Sequence, residues 1–317
     1  MPILDMPLAE LERYQGAPIP GDFDAYWEEA LSQVEDRAYT IAPSDFSLPG
    51  YECSILTFTG VGGAQVGGKF IRPLGEGMLP GVVVFHGYRG NSGDFFNLLP
   101  YAAAGMAVFA MDVRGQMGIS QDNFVSTGNT LLGHIVRGLE EYNPKRLFYR
   151  NVFLDTVQSV RILMSMPFVD AMRVGVTGGS QGGALATACA GLEPRVKVAA
   201  IAYPFLSDYR RVWEMDMGKR AYEELEYFIR WRDPLHERLE DMFRTLDYID
   251  VSHLAPRIKA RTHFFLTLQD DICPPSTQFA VYNNTPEPKS RDIYYNHGHE
   301  GLPRMGDRTL RFLLENL

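Results

Sequence analysis

Cysteine is scarce in this chain of 317 residues: Cys53, Cys189 and Cys273 are all it has. An odd number of widely spaced thiols fits neither a disulfide framework nor a zinc ligand pattern. They read as reduced thiols in a cytoplasmic protein, with Cys189 packed on a helix. Long apolar runs are also missing. The longest, VAAIAYPFL at 198–206, is less than half of what a bilayer demands and is broken by Pro204, which argues against a membrane span. No window is packed with lysine and arginine, and the net charge is −9. Without a basic footprint for a phosphate backbone, nucleic acid and anionic membrane are poor partners. The opening MPILDMPLAELERYQG has no basic leader and no continuous apolar stretch, and it carries Asp5, Glu10 and Glu12, so it reads as mature sequence rather than a signal peptide. Repeats and low-complexity linkers are lacking too, which favours one domain over 1–317.

What the chain does have is enough apolar residue for a core: 45% of residues are hydrophobic and 12% aromatic, beside an ordinary 22% charged. ECSILTF (52–58) and GAQVGGKFI (63–71) predict an antiparallel strand pair after a helix over 23–34. GVVVFH (81–86), MAVFAMD (106–112), RVGVTG (173–178), VKVAAIAY (196–203) and THFFLTL (262–268) are too continuous for a sheet with one wet face, and predict parallel strands covered on both sides. Helical segments at 94–104, 151–166 and 182–191 alternate with them, so the fold class is α/β with right-handed crossovers. Two segments exceed a plain connection. Residues 113–150 form a long loop insertion, and 207–250, rich in Trp, Tyr, Phe, Arg and Glu, an inserted helical cap. Either can serve as a lid or an oligomer contact.

VGVTGGSQGGALA (174–186) places Gly178-x-Ser180-x-Gly182 between a predicted strand and a predicted helix, the context a nucleophile elbow requires. Glycines are needed there because a serine in a sparsely populated backbone conformation sits where strand and helix crowd together. A serine hydroxyl is a weak nucleophile by itself and needs a base and a group to orient that base. In this fold the chain order is Ser, acid, His. LTLQDDICPPS supplies Asp270 and Asp271 at a strand end, and NHGHEG supplies His297 and His299. Asp270, nearer the strand end, is preferred over Asp271, which can solvate the turn before Pro274 and Pro275. His299, flanked by Gly298 and Gly301, has the freer backbone of the two histidines. His86, His134, His236, His253 and His263 read as structural or solvated, with His86 bonding around the loop after its strand. The oxyanion donors are expected from the backbone N–H of Gln181 and, in the loop FHGYRGNSGD (85–94), from that of Tyr88. Neither a metal nor a cofactor is implied.

HGYRGNSGD, DVRGQ (112–116), GGSQGG (178–183), DDICPPST (270–277) and HEG (299–301) together resemble the motif set of the acetyl xylan esterase and cephalosporin C deacetylase family, carbohydrate esterase family seven, over nearly the whole chain. The resemblance implies an α/β-hydrolase fold, a Ser180, Asp270, His299 triad, an oxyanion hole of Tyr88 and Gln181, and site support from Arg114 and Gln116. It implies a cytoplasmic esterase removing acetyl groups from short xylo-oligosaccharides and cephalosporin C. It further implies a homo-oligomer, commonly a hexamer, with 113–150 at the subunit interface. A second histidine in NHGHEG and a second aspartate after the acid depart from the pattern. A serine peptidase on the same fold and a catalytically silent binding protein are the competing readings.

Overall fold

In the computed structural model, which describes residues 4–35, 38–127, 133–218 and 220–317, nine strands form one sheet. They are β1 (Tyr39–Pro43), β2 (Tyr51–Thr59), β3 (Gln65–Pro73), β4 (Leu79–Phe85), β5 (Ala107–Met111), β6 (Val169–Gly179), β7 (Val198–Ala202), β8 (Arg261–Thr267) and β9 (Lys289–Tyr294), in the order β1-β2-β3-β5-β4-β6-β7-β8-β9. From β5 to β9 every pairing is parallel, while β1, β2 and β3 run antiparallel, β3 joining them to β5. Burial explains the sequence patterns. β5 and β7 are buried at every position, so AVFAM and VAAIA can be apolar throughout. β9, KSRDIY, has no fully buried residue and closes the sheet with charged side chains, a protected edge.

The helices are α1 (Leu8–Leu11), α2 (Phe23–Leu31), α3 (Phe95–Ala103), α4 (Phe148–Ser165), α5 (Gln181–Leu192), α6 (Tyr209–Glu214), α7 (Glu223–Arg232), α8 (Leu239–Leu246), α9 (Val251–Leu254), α10 (Pro275–Asn284) and α11 (Met305–Asn316). α3 and α11 share a smaller core built on Leu98, Ala102, Val108 and Leu313. The larger core, with Trp27, Phe153, Val157, Leu185 and Phe264, gathers α2, α4, α5 and the cap. α5 is buried at all its positions, which is why GALATACAGL carries no polar face. The long connection after β5 ends at Leu147, short of the expected 150: Phe148, Tyr149 and Arg150 already belong to α4 and are buried. Between Ser207 and Asp250 the chain forms α6, α7 and α8, whose Val212, Leu225, Phe228, Ile229, Met242, Phe243 and Leu246 point into the core. Cys53, Cys189 and Cys273 are buried and unbridged.

Candidate active site

β6 runs into α5 through Ser180, whose φ of 58° and ψ of −122° lie in a region that L residues avoid. The turn is pinned from both sides. The Ser180 N–H donates to Ala202 O on β7 at 3.1 Å, and its carbonyl accepts from Ala184 N at 3.0 Å and Phe205 N at 3.1 Å. Sterics dictate the flanking glycines: a Cβ on Gly182 would stand 2.1 Å from Phe85 O on β4, and one on Gly178 2.4 Å from the backbone of Gly182. The result is a hydroxyl raised at the carboxyl edge of the parallel strands, at the N-terminus of α5, where the helix field favours negative charge.

The acid and the histidine arrive from the next two strands. Asp270 follows β8 and is fully buried; His299 follows β9, and its Nδ1 lies 3.0 Å from Asp270 Oδ2. Asp270 Oδ1 also accepts from the N–H groups of Ile272 (2.9 Å) and Cys273 (2.8 Å), and Oδ2 from Thr267 Oγ1 (3.2 Å) and Gln278 Nε2 (3.3 Å). A carboxylate so held makes Nδ1 the protonated nitrogen of a neutral His299 and leaves Nε2 as the acceptor. Asp271 turns outward to Arg220 at 2.7 Å. His297 sits against the Tyr294 ring at 5.5 Å, its carbonyl accepting from Gln269 N. Two residues that the sequence did not assign to the site close around the pair. The Tyr203 ring meets His299 edge-on at 5.0 Å, and Cys273 Sγ lies within 4.8 Å of both Asp270 and His299. Burial, then the Asp270 charge, push the Cys273 thiol well above its ordinary range, against the effect of a hydrogen bond with Ser180, so it is a neutral thiol. Its position directly after DDI was the available signal.

Asp270, Cys273 and His299, and separately Asp247, Asp250 and His253, have the ligand types and spacing of a metal site. Several of these ligand atoms already hold other partners. His299 Nδ1 faces Asp270, and the two ring nitrogens of His253 face Asp247 O (2.9 Å) and Ala17 O (3.0 Å).

The loop after β4 runs past Ser180. The backbone N–H groups of Tyr88 and Gln181 meet no acceptor among the described residues. His86 stiffens this loop: its Nδ1 lies 2.7 Å from Gly87 O, and its Nε2 accepts from Val113 N at 3.0 Å. Burial lowers its pKa, in keeping with a neutral ring. Gln116 braces both sides, its Oε1 accepting from Arg89 N (2.8 Å) and its Nε2 donating to Gln181 Oε1 (2.7 Å), which also accepts from Tyr149 OH (2.8 Å). Arg114 points away from the pocket. It pairs with Asp155 of α4, Nη2 to Oδ1 2.7 Å, both groups buried, and so anchors the segment that carries Gln116. A pocket of about 410 Å³ lies over the serine, lined by Gly87, Tyr88, Arg89, Ser180, Arg220, Ala221, Glu223, Ile272 and His299.

A mostly parallel sheet with a strained serine on the turn between β6 and α5, and an aspartate and histidine delivered by β8 and β9, is the α/β-hydrolase fold. The sequence profile of the acetyl xylan esterase (AXE1) family matches residues 1–316. The chain belongs to that family, a family of carboxylic ester hydrolases. Acetyl xylan esterase 1 from Thermoanaerobacterium sp. JW/SL YS485 is 49% identical and superimposes with a TM-score of 0.96 over 98% of this chain and 99% of its own. The acetyl xylan esterase from Paenibacillus sp. R4 is 38% identical, with a TM-score of 0.93 over 98% and 100%. The acetyl esterase Axe7A of Xylanibacter ruminicola is 26% identical over 283 residues, which are 85% of this chain and 61% of that protein, so the chain spans about three fifths of that curated relative. No helix among the described residues is long and apolar enough to cross a membrane.

Proposed function

We propose that the protein is a serine esterase that removes acetyl groups from small substrates such as acetylated xylo-oligosaccharides and cephalosporin C, with Ser180 as nucleophile, His299 as base and Asp270 as its orienting acid. The observation that carries this reading is the 3.0 Å contact between His299 Nδ1 and buried Asp270, in a pocket that Ser180 and His299 both line. His299 Nε2 takes the Ser180 proton as Oγ adds to the acetyl carbonyl. The backbone N–H groups of Tyr88 and Gln181 receive the oxyanion, an interaction commonly worth about 3–4 kcal/mol of the barrier per donor. His299 then returns the proton to the leaving sugar oxygen, and water repeats the sequence on the acetyl-enzyme. Asp270 holds the Nδ1–H tautomer and stabilises the imidazolium. Arg114 and Gln116 act at one remove, by holding Gln181 and the oxyanion loop. Cap residues Arg220, Ala221 and Glu223 form the pocket wall opposite the sheet, and the connection after β5 serves as a subunit contact in a cytoplasmic homo-oligomer.

The test is acetate release from acetylated xylo-oligosaccharides and from cephalosporin C, set beside butyrate and longer esters, for wild type and Ser180→Ala. Acetyl esters are expected to turn over fastest and the variant to be silent. Faster turnover of longer acyl chains would refute the acetyl preference, and an active Ser180→Ala the nucleophile.

A further inference from the structure

A buried carboxyl group that takes no part in the reaction is bonded to the oxyanion loop from the cap side. Glu224, in the first turn of α7, is 1% exposed. Its Oε1 accepts from the Tyr88 hydroxyl at 3.0 Å and its Oε2 from Ile135 N at 2.9 Å, while the Tyr88 oxygen accepts from His134 N at 3.0 Å. Burial raises the Glu224 carboxyl to about 8. The crossing is tight enough to demand a glycine. Gly133, at φ +70°, passes so near that a Cβ there would lie 1.8 Å from the Tyr88 hydroxyl oxygen and 2.3 Å from Glu224 Oε1. Next in the chain, Glu223 binds Arg89 at 2.7 Å, so two successive residues of the cap grip two successive residues of the loop. A buried polar group costs stability unless it is bonded, and here one carboxyl group spends both oxygens on joining the cap, the loop after β4 and the segment at 133–136.

We propose that Glu224 is a positioning residue: through the Tyr88 hydroxyl it fixes where the Tyr88 backbone N–H points, so that seating of the cap and readiness of the oxyanion hole are a single event. The proposal rests on the esterase reading above. The tether touches no substrate atom, so its loss lowers kcat and leaves KM nearly unchanged, the mark of an interaction felt mainly in the transition state.

The experiment measures kcat and KM on 4-nitrophenyl acetate for wild type, Tyr88→Phe, Glu224→Gln, Glu224→Ala and the Tyr88→Phe/Glu224→Ala double variant. Tyr88→Phe keeps the ring against Phe205 and the backbone N–H, and deletes one oxygen. Its kcat is expected to fall about 10-fold or more, short of the roughly 10²- to 10³-fold lost when an oxyanion donor is removed outright, with KM within roughly twofold. Glu224→Ala should fall likewise, and the double variant no further than the worse single, since both cut the same tether. Glu224→Gln, which imitates the protonated acid and can still bond Tyr88, should recover most of the rate. Tyr227→Phe, on the outer side of α7, serves as the control expected at wild-type rate. Equal kcat for Tyr88→Phe and wild type, or fully additive losses in the double variant, would overturn the tether. If Glu224→Ala does not fold, Tyr88→Phe and Glu224→Gln carry the test alone. A wild-type protein without esterase turnover would defeat the esterase reading and the tether with it, whereas an active wild type with indifferent variants defeats the tether only.

Discussion

Ser180 and His299 reach the pocket from the carboxyl ends of the parallel strands β6 and β9, whereas Arg220, Ala221 and Glu223 reach the same pocket from a cap inserted between β7 and β8. The first half is positioned by backbone: Ser180 hydrogen-bonds to β7 and to the chain after it, and Phe85 O leaves no room for a side chain at Gly182. The second half is positioned by side chains meeting across long stretches of sequence, as Glu224 meets Tyr88 across 136 residues. The difference teaches that two kinds of precision coexist in one site. The sheet-borne half is rigid because strands cannot shift without breaking their ladders, and the cap-borne half is as rigid as a few buried polar contacts make it.

The largest effects should come from the sheet-borne half. Ser180→Ala is expected to lower kcat/KM about 10⁴- to 10⁶-fold with an unchanged denaturation midpoint, and Asp270→Asn about 10⁴-fold by presenting the wrong tautomer to the serine. Asp271→Asn, on the outward side of the same turn, should stay within about threefold of wild type, so steady-state kinetics of the two asparagine variants separates the roles of adjacent aspartates. Equal losses from both would break the contrast between an internal acid and a surface one.

Next comes the support beneath that half. Arg114→Met leaves Asp155 buried without its partner, a defect that typically costs about 3–5 kcal/mol. Gly182→Ala forces a methyl toward Phe85 O and should cost about 1–3 kcal/mol, or more if β4 cannot yield. Urea titration of each variant checks both figures. If Gly182→Ala were neutral in stability and activity, the backbone account of the elbow would fail.

These two halves were unequally legible in the sequence. The strand-to-helix turn around Ser180 could be read because its requirement is local: glycines within two residues, an apolar run before and small residues after. β4 to β8 could be read because burial on both faces makes them continuously apolar. β9 and β1 lacked that signature, since an edge strand such as KSRDIY can carry charges. The helix α4 begins before its expected start because the burial of Phe148 and Tyr149 comes from tertiary packing rather than local pattern. Asp270 and Asp271 differ by one position, and what separates them is three-dimensional: Asp270 is buried against His299 and the donors from Ile272, Cys273 and Gln278, whereas Asp271 pairs with Arg220. Glu224 was illegible altogether. EELEYFIRWR has the look of a solvated amphipathic helix, and nothing within it announces that its second glutamate is covered by residues 133–136. Cys273 was similarly hidden, as one of three scattered thiols.

The last contrast lies in the cap-borne half and tests the burial of Glu224 without reference to catalysis. Its carboxyl is raised from 4.5 to about 8, with burial the leading cause. Between those values the folded protein holds a proton that the unfolded chain has released, so Glu224 makes stability fall as pH rises through that window and contributes no further slope above it. The slope approaches roughly 1.4 kcal/mol per pH unit for one fully linked proton. Glu224→Gln has no proton to lose, so urea midpoints of wild type and variant should diverge in the variant's favour from pH 5 to pH 8 and run parallel beyond. Parallel curves across the whole range would mean that this carboxylate is solvated like those on the surface, and the cap would then be held to the oxyanion loop by something other than a desolvated bond.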